Sequence, residues 1–357
     1  MTHSKALIYN FQENSSFINS DRTIIASKYN VYDFQFYSSY KVTYPFLFIW
    51  QCIFLIYHWN KFNLIISQIS GFHTYIPSLL SFFKLKKHII ILHGTDCNII
   101  PEIGYGNLQR PILKWFTKKS IQNANFLLPV SESLICNDSD YYTENQISLG
   151  LNKNITGLNT PIQVVHNGIE TNSFFIKNNN REPNSFLTIA LGLENEKNVK
   201  LKGIDLILGC AENNPNIKVT IVGSESVFNY NNNLKNVKVI GKVNQTELLE
   251  FYNENKYYLQ LSISESFGLS LCESMLCGCI PIISNTGMMP EIIEDKGYIL
   301  EKRDLNIFIK LIDSILLNKK GIDPFEIRKL IVAKYTIDKR IAKLLSVIDH
   351  LTKVTSP

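Results

Sequence analysis

The chain has 357 residues, 45% of them hydrophobic, and a formal charge of +5 at pH 7. These values exclude a disordered or fibrous protein, leave room for two packed domains of ordinary size, and, with no nucleic-acid-binding motif, speak against a nucleic-acid partner. The seven cysteines (Cys52, Cys97, Cys136, Cys210, Cys272, Cys277 and Cys279) are odd in number and scattered, with no C-x-x-C pair or metal-ligand spacing, so they read as reduced core thiols in a cytosolic protein.

The N-terminal stretch MTHSKALIYNFQENSS holds too short an apolar run for a signal peptide, and Asn10, Gln12 and Glu13 interrupt it, so the protein is expected to stay where it is made. Short apolar runs then alternate with helix-length segments, which predicts strands at 6–11, 32–37, 63–68, 88–92, 126–130 and 163–165. The longest apolar run, PFLFIWQCIFLIY from Pro45 to Tyr57, falls short of the roughly 20 residues of a bilayer span and contains Gln51; it predicts a crossover helix buried against a sheet. Two later stretches, SLLSFFKLKKH (78–88) and RPILKWFTKKS (110–120), interleave aromatics with lysines. That composition fits contact with an anionic bilayer, through Lys84, Lys86 and Lys87 with Phe82 and Phe83, and equally fits ordinary amphipathic helices with solvated lysines.

A polar, asparagine-rich stretch at 172–184, NSFFIKNNNREPN, reads as an interdomain linker. Beyond it the alternation resumes, with strands predicted at 186–191, 218–222, 237–240, 257–264, 280–284 and 298–300. Near-continuous apolar strands separated by helices predict parallel sheets covered on both faces, and so two doubly wound α/β domains. The terminal segment carries apolar residues at helical spacing (Ile341, Leu344, Leu345 and Ile348).

In open parallel sheets, ligands bind outside the carboxyl ends of the strands. Strand 88–92 runs into His93-Gly94-Thr95-Asp96, which sets an imidazole and a carboxylate at a strand end, either as site groups or as a structural turn. Further endings are His166-Asn167-Gly168, Ala190-Leu191-Gly192-Leu193 and Ile221-Val222-Gly223-Ser224. The richest is Glu265-Ser266-Phe267-Gly268-Leu269-Ser270-Leu271-Cys272-Glu273, read as a strand that stops at a carboxylate, turns through Gly268 and opens a helix. A helix start presents free N–H groups and positive charge to phosphate oxygens, while flanking carboxylates suit the hydroxyls of a ribose or hexose. The predicted ligand is therefore a nucleotide sugar; the plain alternative makes both glutamates solvated surface residues.

The stretch SISESFGLSLCESMLCGCIPIISNTGMMPEII, with its E-x7-E spacing, resembles the donor-site signature of the family-4 retaining glycosyltransferases. His93-Gly-x-Asp96, the Asn167-Gly168 turn and the Lys202-Gly203 pair are similar to further motifs of that family, and the resemblance is strongest from Lys202 to Glu291. It implies an α/β protein of the GT-B class: two doubly wound Rossmann-like domains facing a central cleft, with residues 1–172 on the acceptor side and 173–335 binding the nucleotide sugar. Residues 336–357 would form a helix packing back toward the first domain.

By the same resemblance His93 would contact the transferred sugar, Glu265 would hold hydroxyls of the donor hexose, and Lys202 would balance charge on the leaving diphosphate. Asp96, Asn167, Gly223, Ser266, Phe267, Gly268, Leu269 and Glu273 would line the donor, with Glu273 on the ribose hydroxyls. Glu291 reads as a capping acid. No cofactor beyond a UDP- or GDP-sugar co-substrate is implied. The leaving phosphate itself would accept the acceptor's proton, so no protein nucleophile is required, and no metal is expected because no D-x-D cluster that would hold a divalent cation is read in the sequence. The implied activity is retaining transfer of a hexose to a glycan or lipid-linked acceptor in bacterial surface polysaccharide synthesis, in the cytoplasm or at the inner face of the cytoplasmic membrane. A nucleotide-sugar epimerase and a non-catalytic subunit binding nucleotide or glycan are the alternatives.

Three departures from the family pattern stand out. Leu193 occupies the position of a usual arginine, which leads to the expectation that arginine there is tolerated. The loop YNFQENSSFINS lacks the family's glycines, and Gly287-Met288 replaces a common Gly-Gly, which puts close backbone approach there in doubt.

Overall fold

The computed structural model describes residues 6–142, 147–177, 181–317 and 321–353. The chain forms two compact units. The first comprises Met1–Cys136, Ser148–Asn167 and Arg340–Pro357, and the second Asn137–Ile147 and Gly168–Lys339. The division falls after Asn167, ahead of the expected linker, and a short excursion at 137–147 joins the second unit. Of that linker, 178–180 lie outside the described residues, and Glu182–Asn184 already belong to a strand.

The first unit is built on five strands: β1 (Ala6–Phe11), β2 (Val31–Gln35), β3 (Phe62–Gln68), β4 (Lys87–Leu92) and β5 (Phe126–Pro129). They pair in the order β2-β1-β3-β4-β5, every neighbour parallel. The central strands are buried along nearly their whole length, as their largely apolar sequences require of a sheet covered on both faces. The strand expected at 163–165 is absent. That segment follows β5 through bonds from Gln163 N to Leu127 O (3.0 Å) and Val165 N to Pro129 O (3.0 Å), with only an isolated bridge at Ile162.

The second unit carries β6 (Glu182–Ile189), β7 (Lys218–Val222), β8 (Val237–Ile240), β9 (Asn255–Gln260), β10 (Ile280–Ser284) and β11 (Tyr298–Leu300), in the order β11-β10-β9-β6-β7-β8, again all parallel. Phe186 of β6 stacks on Tyr257 of β9 at 4.9 Å. The chain leaves β6 toward β8 and returns on the other side at β9, so the direction of winding reverses between β6 and β9. A crevice opens at such a reversal, at the carboxyl ends of the two strands. The strand expected to run to Ser264 ends at Gln260. Leu261–Ser264 remain buried, but their polar groups turn to other partners: Ile263 N bonds Leu201 O (2.8 Å) and Ser262 O accepts the Ser284 hydroxyl (2.6 Å).

Two further expectations are corrected. The apolar run at 45–57 does form a helix (Tyr44–Tyr57), but only one side reaches the core, with Gln51 and Leu55 buried, while Phe46, Ile49, Trp50, Ile53, Ile56 and Tyr57 are each more than half exposed. A cylinder laid on a sheet buries one stripe, and this sequence is apolar all round. Of the three lysines expected to face a bilayer, two serve the fold. Lys86 Nζ donates to the carbonyls of Trp59 (2.6 Å) and Phe62 (2.7 Å), and Lys87 Nζ to that of Leu351 (2.6 Å).

Candidate functional site

In the second unit, the end of β9 carries most of the predicted donor residues. Gly268, at φ +87°, opens the helix Leu269–Leu276 from the left-handed region, where a residue bearing a β-carbon is strained. Phe267 is buried and meets the Tyr335 ring edge-on at 5.4 Å, while Ser266 and Leu269 stay partly open. Glu265 immediately precedes Ser266. Its Oε2 accepts from Lys202 Nζ at 3.1 Å and from Gln260 Nε2 at 2.8 Å, and Ser270 Oγ donates to Gln260 Oε1 at 3.4 Å.

Lys202 reaches Glu265 for a local reason. It is the last residue of the helix Glu196–Lys202, which starts at Asn195, whose side chain accepts from Lys197 N. Gly203 then ends the helix at φ +69°, so close to the β9 exit that a β-carbon would stand 2.2 Å from Leu261 O. The Lys-Gly pair therefore brings a cation to a carboxylate 63 residues away. Gly287 does the same from the other side, since a β-carbon there would stand 1.7 Å from Glu265 O. Gly287 thus brings its backbone against that of Glu265 without a second glycine, and the Met288 beside it is buried.

Glu273, in the second turn of the helix, accepts a hydrogen bond from the Tyr252 hydroxyl at 2.9 Å. Burial pushes its carboxyl up from 4.5 to about 7, against the Tyr252 bond, which lowers it. Glu291 stands in the first turn of the short helix Met289–Ile293, where a negative charge suits the positive helix end.

The end of β6 forms a separate recess. Gly192 and Gly223, both at positive φ, line a cavity of about 500 Å³ together with Leu191, Ser224, Glu225 and Lys242. Leu193 does not face it. Its side chain is fully buried and its N–H donates to Ser224 Oγ at 3.0 Å, so arginine at 193 would bury an unpaired charge, contrary to the expectation of tolerance. Contrary to the expectation that the sequence holds no D-x-D cluster, a D-x-D triplet, Asp138-Ser139-Asp140, is present in this unit. Asp140 Oδ2 accepts from Lys302 Nζ, and that bond holds its carboxyl below the usual range. Among the described residues, no group of three or more His, Cys, Asp or Glu is placed to hold a metal.

In the first unit, Asp96 is fully buried and fastens the turn after β4. Oδ1 accepts from the N–H groups of His93 (3.2 Å) and Gly94 (2.9 Å), and Oδ2 from that of Ser70 (2.9 Å). The expected ligand residue is therefore a backbone clasp. His93 sits at the head of a buried chain: its Nε2 bonds Gln68 Oε1 (2.6 Å), Gln68 Nε2 donates to Asp21 Oδ2 (2.9 Å), and Asp21 pairs with Arg340 (2.6 Å). Burial drives the His93 imidazole down to about 3, with Asp21 opposing and Arg340 adding to the shift, so it is neutral at physiological pH. Its ring lies 4.4 Å from that of Phe17. Asn167 is buried just after the carbonyls of Val165 and His166, to which Arg340 donates at 2.9 and 2.7 Å.

Lys202 and Glu265 are thus brought together, Glu273 and Gly268 share one helix, and Gly223 belongs to the neighbouring recess. His93, Asp96 and Asn167 belong to the first unit. Sequence reasoning missed Gln260 and Tyr252, which hold the two glutamates, and Gln68, Asp21 and Arg340, which hold His93. The signal available for Gln260 and Gln68 was a polar, buried residue at the carboxyl end of its strand.

The family model described as Glycosyl transferases group 1 matches residues 170–353, just over half of the chain. The sequence is 28% identical over 270 residues to an "Uncharacterized 41.2 kDa protein in cps region" of Klebsiella pneumoniae, covering 72% of this chain and 70% of that protein. Among solved structures it is similar to sucrose-phosphate synthase from Thermosynechococcus elongatus, with a TM-score of 0.73, 14% identity, and 98% of this chain and 100% of that one covered. Anabaena Alr3699/HepE in complex with UDP and glucose gives a TM-score of 0.67 at 12% identity, with 97% and 100% covered. At these identities the likeness speaks for the fold, which is the α/β GT-B class. From the family match, the chain belongs to the glycosyl transferases group 1 family.

Proposed function

We propose that the protein is a retaining glycosyltransferase that moves a hexose-type sugar from a UDP- or GDP-sugar to a glycan or lipid-linked acceptor in bacterial surface polysaccharide synthesis. It would act without a divalent cation, in the cytoplasm or at the inner face of the cytoplasmic membrane. The observation that carries this reading is the Lys202–Glu265 pair beside the helix start at Gly268, at the point where the second sheet reverses its winding. The carboxylate suits sugar hydroxyls, while the ammonium and the helix start suit the departing diphosphate. The UDP and glucose in complex with the Anabaena neighbour, and the cps region of the Klebsiella relative, agree in chemistry and setting with this reading.

Screening UDP-, GDP- and ADP-sugars for a raised melting temperature identifies the donor, because a ligand that binds only the native state stabilises it. Transfer then consumes that donor only when acceptor is present. Production of a new nucleotide sugar without acceptor would point to epimerisation. Binding with no turnover at all would favour a non-catalytic subunit, the reading that the buried Leu193 supports.

A further inference from the structure

Three helices of the first unit lie side by side on one face of its sheet. The connections β2 to β3, β3 to β4 and β4 to β5 all step the same way across the order β2-β1-β3-β4-β5, and right-handed crossovers put their helices on one face. Rings confirm the neighbourhood: Phe48 of the helix Tyr44–Tyr57 stacks on Phe116 of the helix Pro111–Asn123 (5.6 Å), and Tyr75 of the helix Tyr75–Phe82 meets Trp115 (5.1 Å). The outer surface of this layer is apolar. Phe46, Ile49, Trp50, Ile53 and Ile56 recur at helical spacing with exposures of 51 to 71%, and Phe82, Phe83, Ile112 and Trp115 on the other two helices are also exposed. A patch of this kind marks a surface that binds something.

Charge identifies what it binds. From Phe34 to Ser131 the chain has nine lysines and arginines against two acids, Asp96, which is fully buried, and Glu102. None of the three helices contains an acid. Lys84, Lys114 and Lys119 are exposed beside the apolar residues. Two copies of such a face would bring like charges together, whereas an anionic surface with an apolar interior complements both features at once. The helix Tyr44–Tyr57, of 14 residues, is roughly 21 Å long, short of the ~30 Å hydrocarbon core, and no helix among the described residues is long and apolar enough to cross a membrane.

We propose that this three-helix face docks the protein on an anionic lipid bilayer, with the helix Tyr44–Tyr57 lying in the plane of the interface and Trp50, Ile53 and Phe46 entering it. Lys114 and Lys119 of the helix Pro111–Asn123, with Lys84 just after the helix Tyr75–Phe82, would contact the headgroups. This deepens the membrane side of the function proposed above and stands apart from the chemistry of transfer. It also moves the centre of the contact from the Lys84–Lys87 segment, whose Lys86 and Lys87 are turned inward, to the helix Tyr44–Tyr57.

The test is co-sedimentation of the full chain with vesicles of phosphatidylcholine alone or mixed with phosphatidylglycerol, at low and high salt. Binding to the anionic vesicles is expected to exceed that to neutral ones by at least tenfold and to weaken with salt, each lysine contributing about fivefold. Two of the three tryptophans, Trp50 and Trp115, lie on the face, so a blue shift of fluorescence should accompany binding. I53E with W50E should lower vesicle binding at least tenfold while leaving circular dichroism and transfer to a soluble acceptor unchanged. Should that pair fail to fold, K114E with K119E must still weaken binding. Equal recovery with both vesicle types overturns the proposal, and so does a concentration-dependent dimer abolished by I53E, which would assign the face to a second copy. Vesicle binding that persists in a chain with no transferase activity would leave this inference standing and sink the catalytic reading instead.

Discussion

A β-carbon on Gly287 would stand 1.7 Å from the carbonyl oxygen of Glu265, closer than any allowed contact, and Gly287 itself sits at φ +61°. Both features demand glycine, so the turn after β10 fixes the height of the Glu265 backbone and with it the Glu265 carboxylate. Gly287→Ala must push the two segments apart. A displacement of about 1 Å at a reacting centre lowers rate on the order of a hundredfold, and that loss of transfer is expected, with a lower melting temperature. Activity within a few-fold of wild type would show that Glu265 needs no such support.

Lys202 and Glu265 are joined at 3.1 Å, with side chains 33% and 17% exposed, so neither acts alone. Removing a preorganised charge of this kind typically costs about a hundredfold to a thousandfold in rate. Lys202→Ala and Glu265→Gln should each cause a loss of that size, while free nucleoside diphosphate still binds the Glu265→Gln protein. Because each change also breaks the other's partner, the double variant should be little worse than either single one. Fully additive losses would mean that the ion pair is incidental.

The sheets were legible because parallel strands covered on both faces are largely apolar, and β1, β4, β7 and β10 read as near-continuous apolar runs broken by only one or two polar residues each. The limits of the same signal show at residues 261–264, which are buried like strand residues yet bond outside the sheet, and at 45–57, where an apolar run gave a helix with a bare face. Lys202 and Gly268 were legible because their glycines are demanded by backbone geometry. The support of His93 was not: Gln68 and Asp21 lie 47 residues apart, and Asp21 and Arg340 lie 319 apart. No local pattern ties a carboxylate near the start of the chain to an arginine near its end.

Those distant partners yield a stability prediction. The Asp21–Arg340 pair is almost completely buried, and Arg340 also donates to the carbonyls of Val165 and His166. Removing one member leaves the other charge uncompensated, at a cost of about 3 to 5 kcal/mol. Arg340→Met should therefore lower the denaturant midpoint sharply, and it should impair His93 through Gln68. Replacing Asp21 and Arg340 together with apolar residues should recover much of the stability. A single variant as stable as wild type would remove the pair from the account of the fold.

His93 gives a prediction in pH. Its ring is held neutral, with burial driving it to about 3 from an ordinary 6.5. The unfolded chain therefore binds a proton that the native state refuses between those values. The contribution to stability is complete above 6.5 and is lost as pH falls toward 3. His93→Gln should reduce this acid sensitivity. The transfer rate of the wild type should show no inflection from His93 near 6.5, and one that vanished in His93→Gln would contradict the neutral ring.

Glu273 runs the opposite way. Burial raises its folded value from 4.5 to about 7, so between these the native state holds a proton that the unfolded chain has released. Its contribution to stability is present below 4.5 and is lost as pH rises through 7, and Glu273→Gln should become relatively more stable across that window. Donor binding should follow the charge in the other sense, because an ionised carboxylate accepts ribose hydroxyls better than a protonated one. Affinity for the nucleotide sugar should thus increase through pH 7 in the wild type and stay flat in Glu273→Gln, while Glu273→Ala should cost about 1.5 to 3 kcal/mol at high pH. Tyr252 supplies an internal check. Its hydroxyl donates to Glu273 and lowers the carboxyl's value, so Tyr252→Phe should move the affinity inflection upward. Isothermal titration from pH 5 to 9 reads all four proteins on one scale, and a wild-type affinity independent of pH would take Glu273 off the ribose.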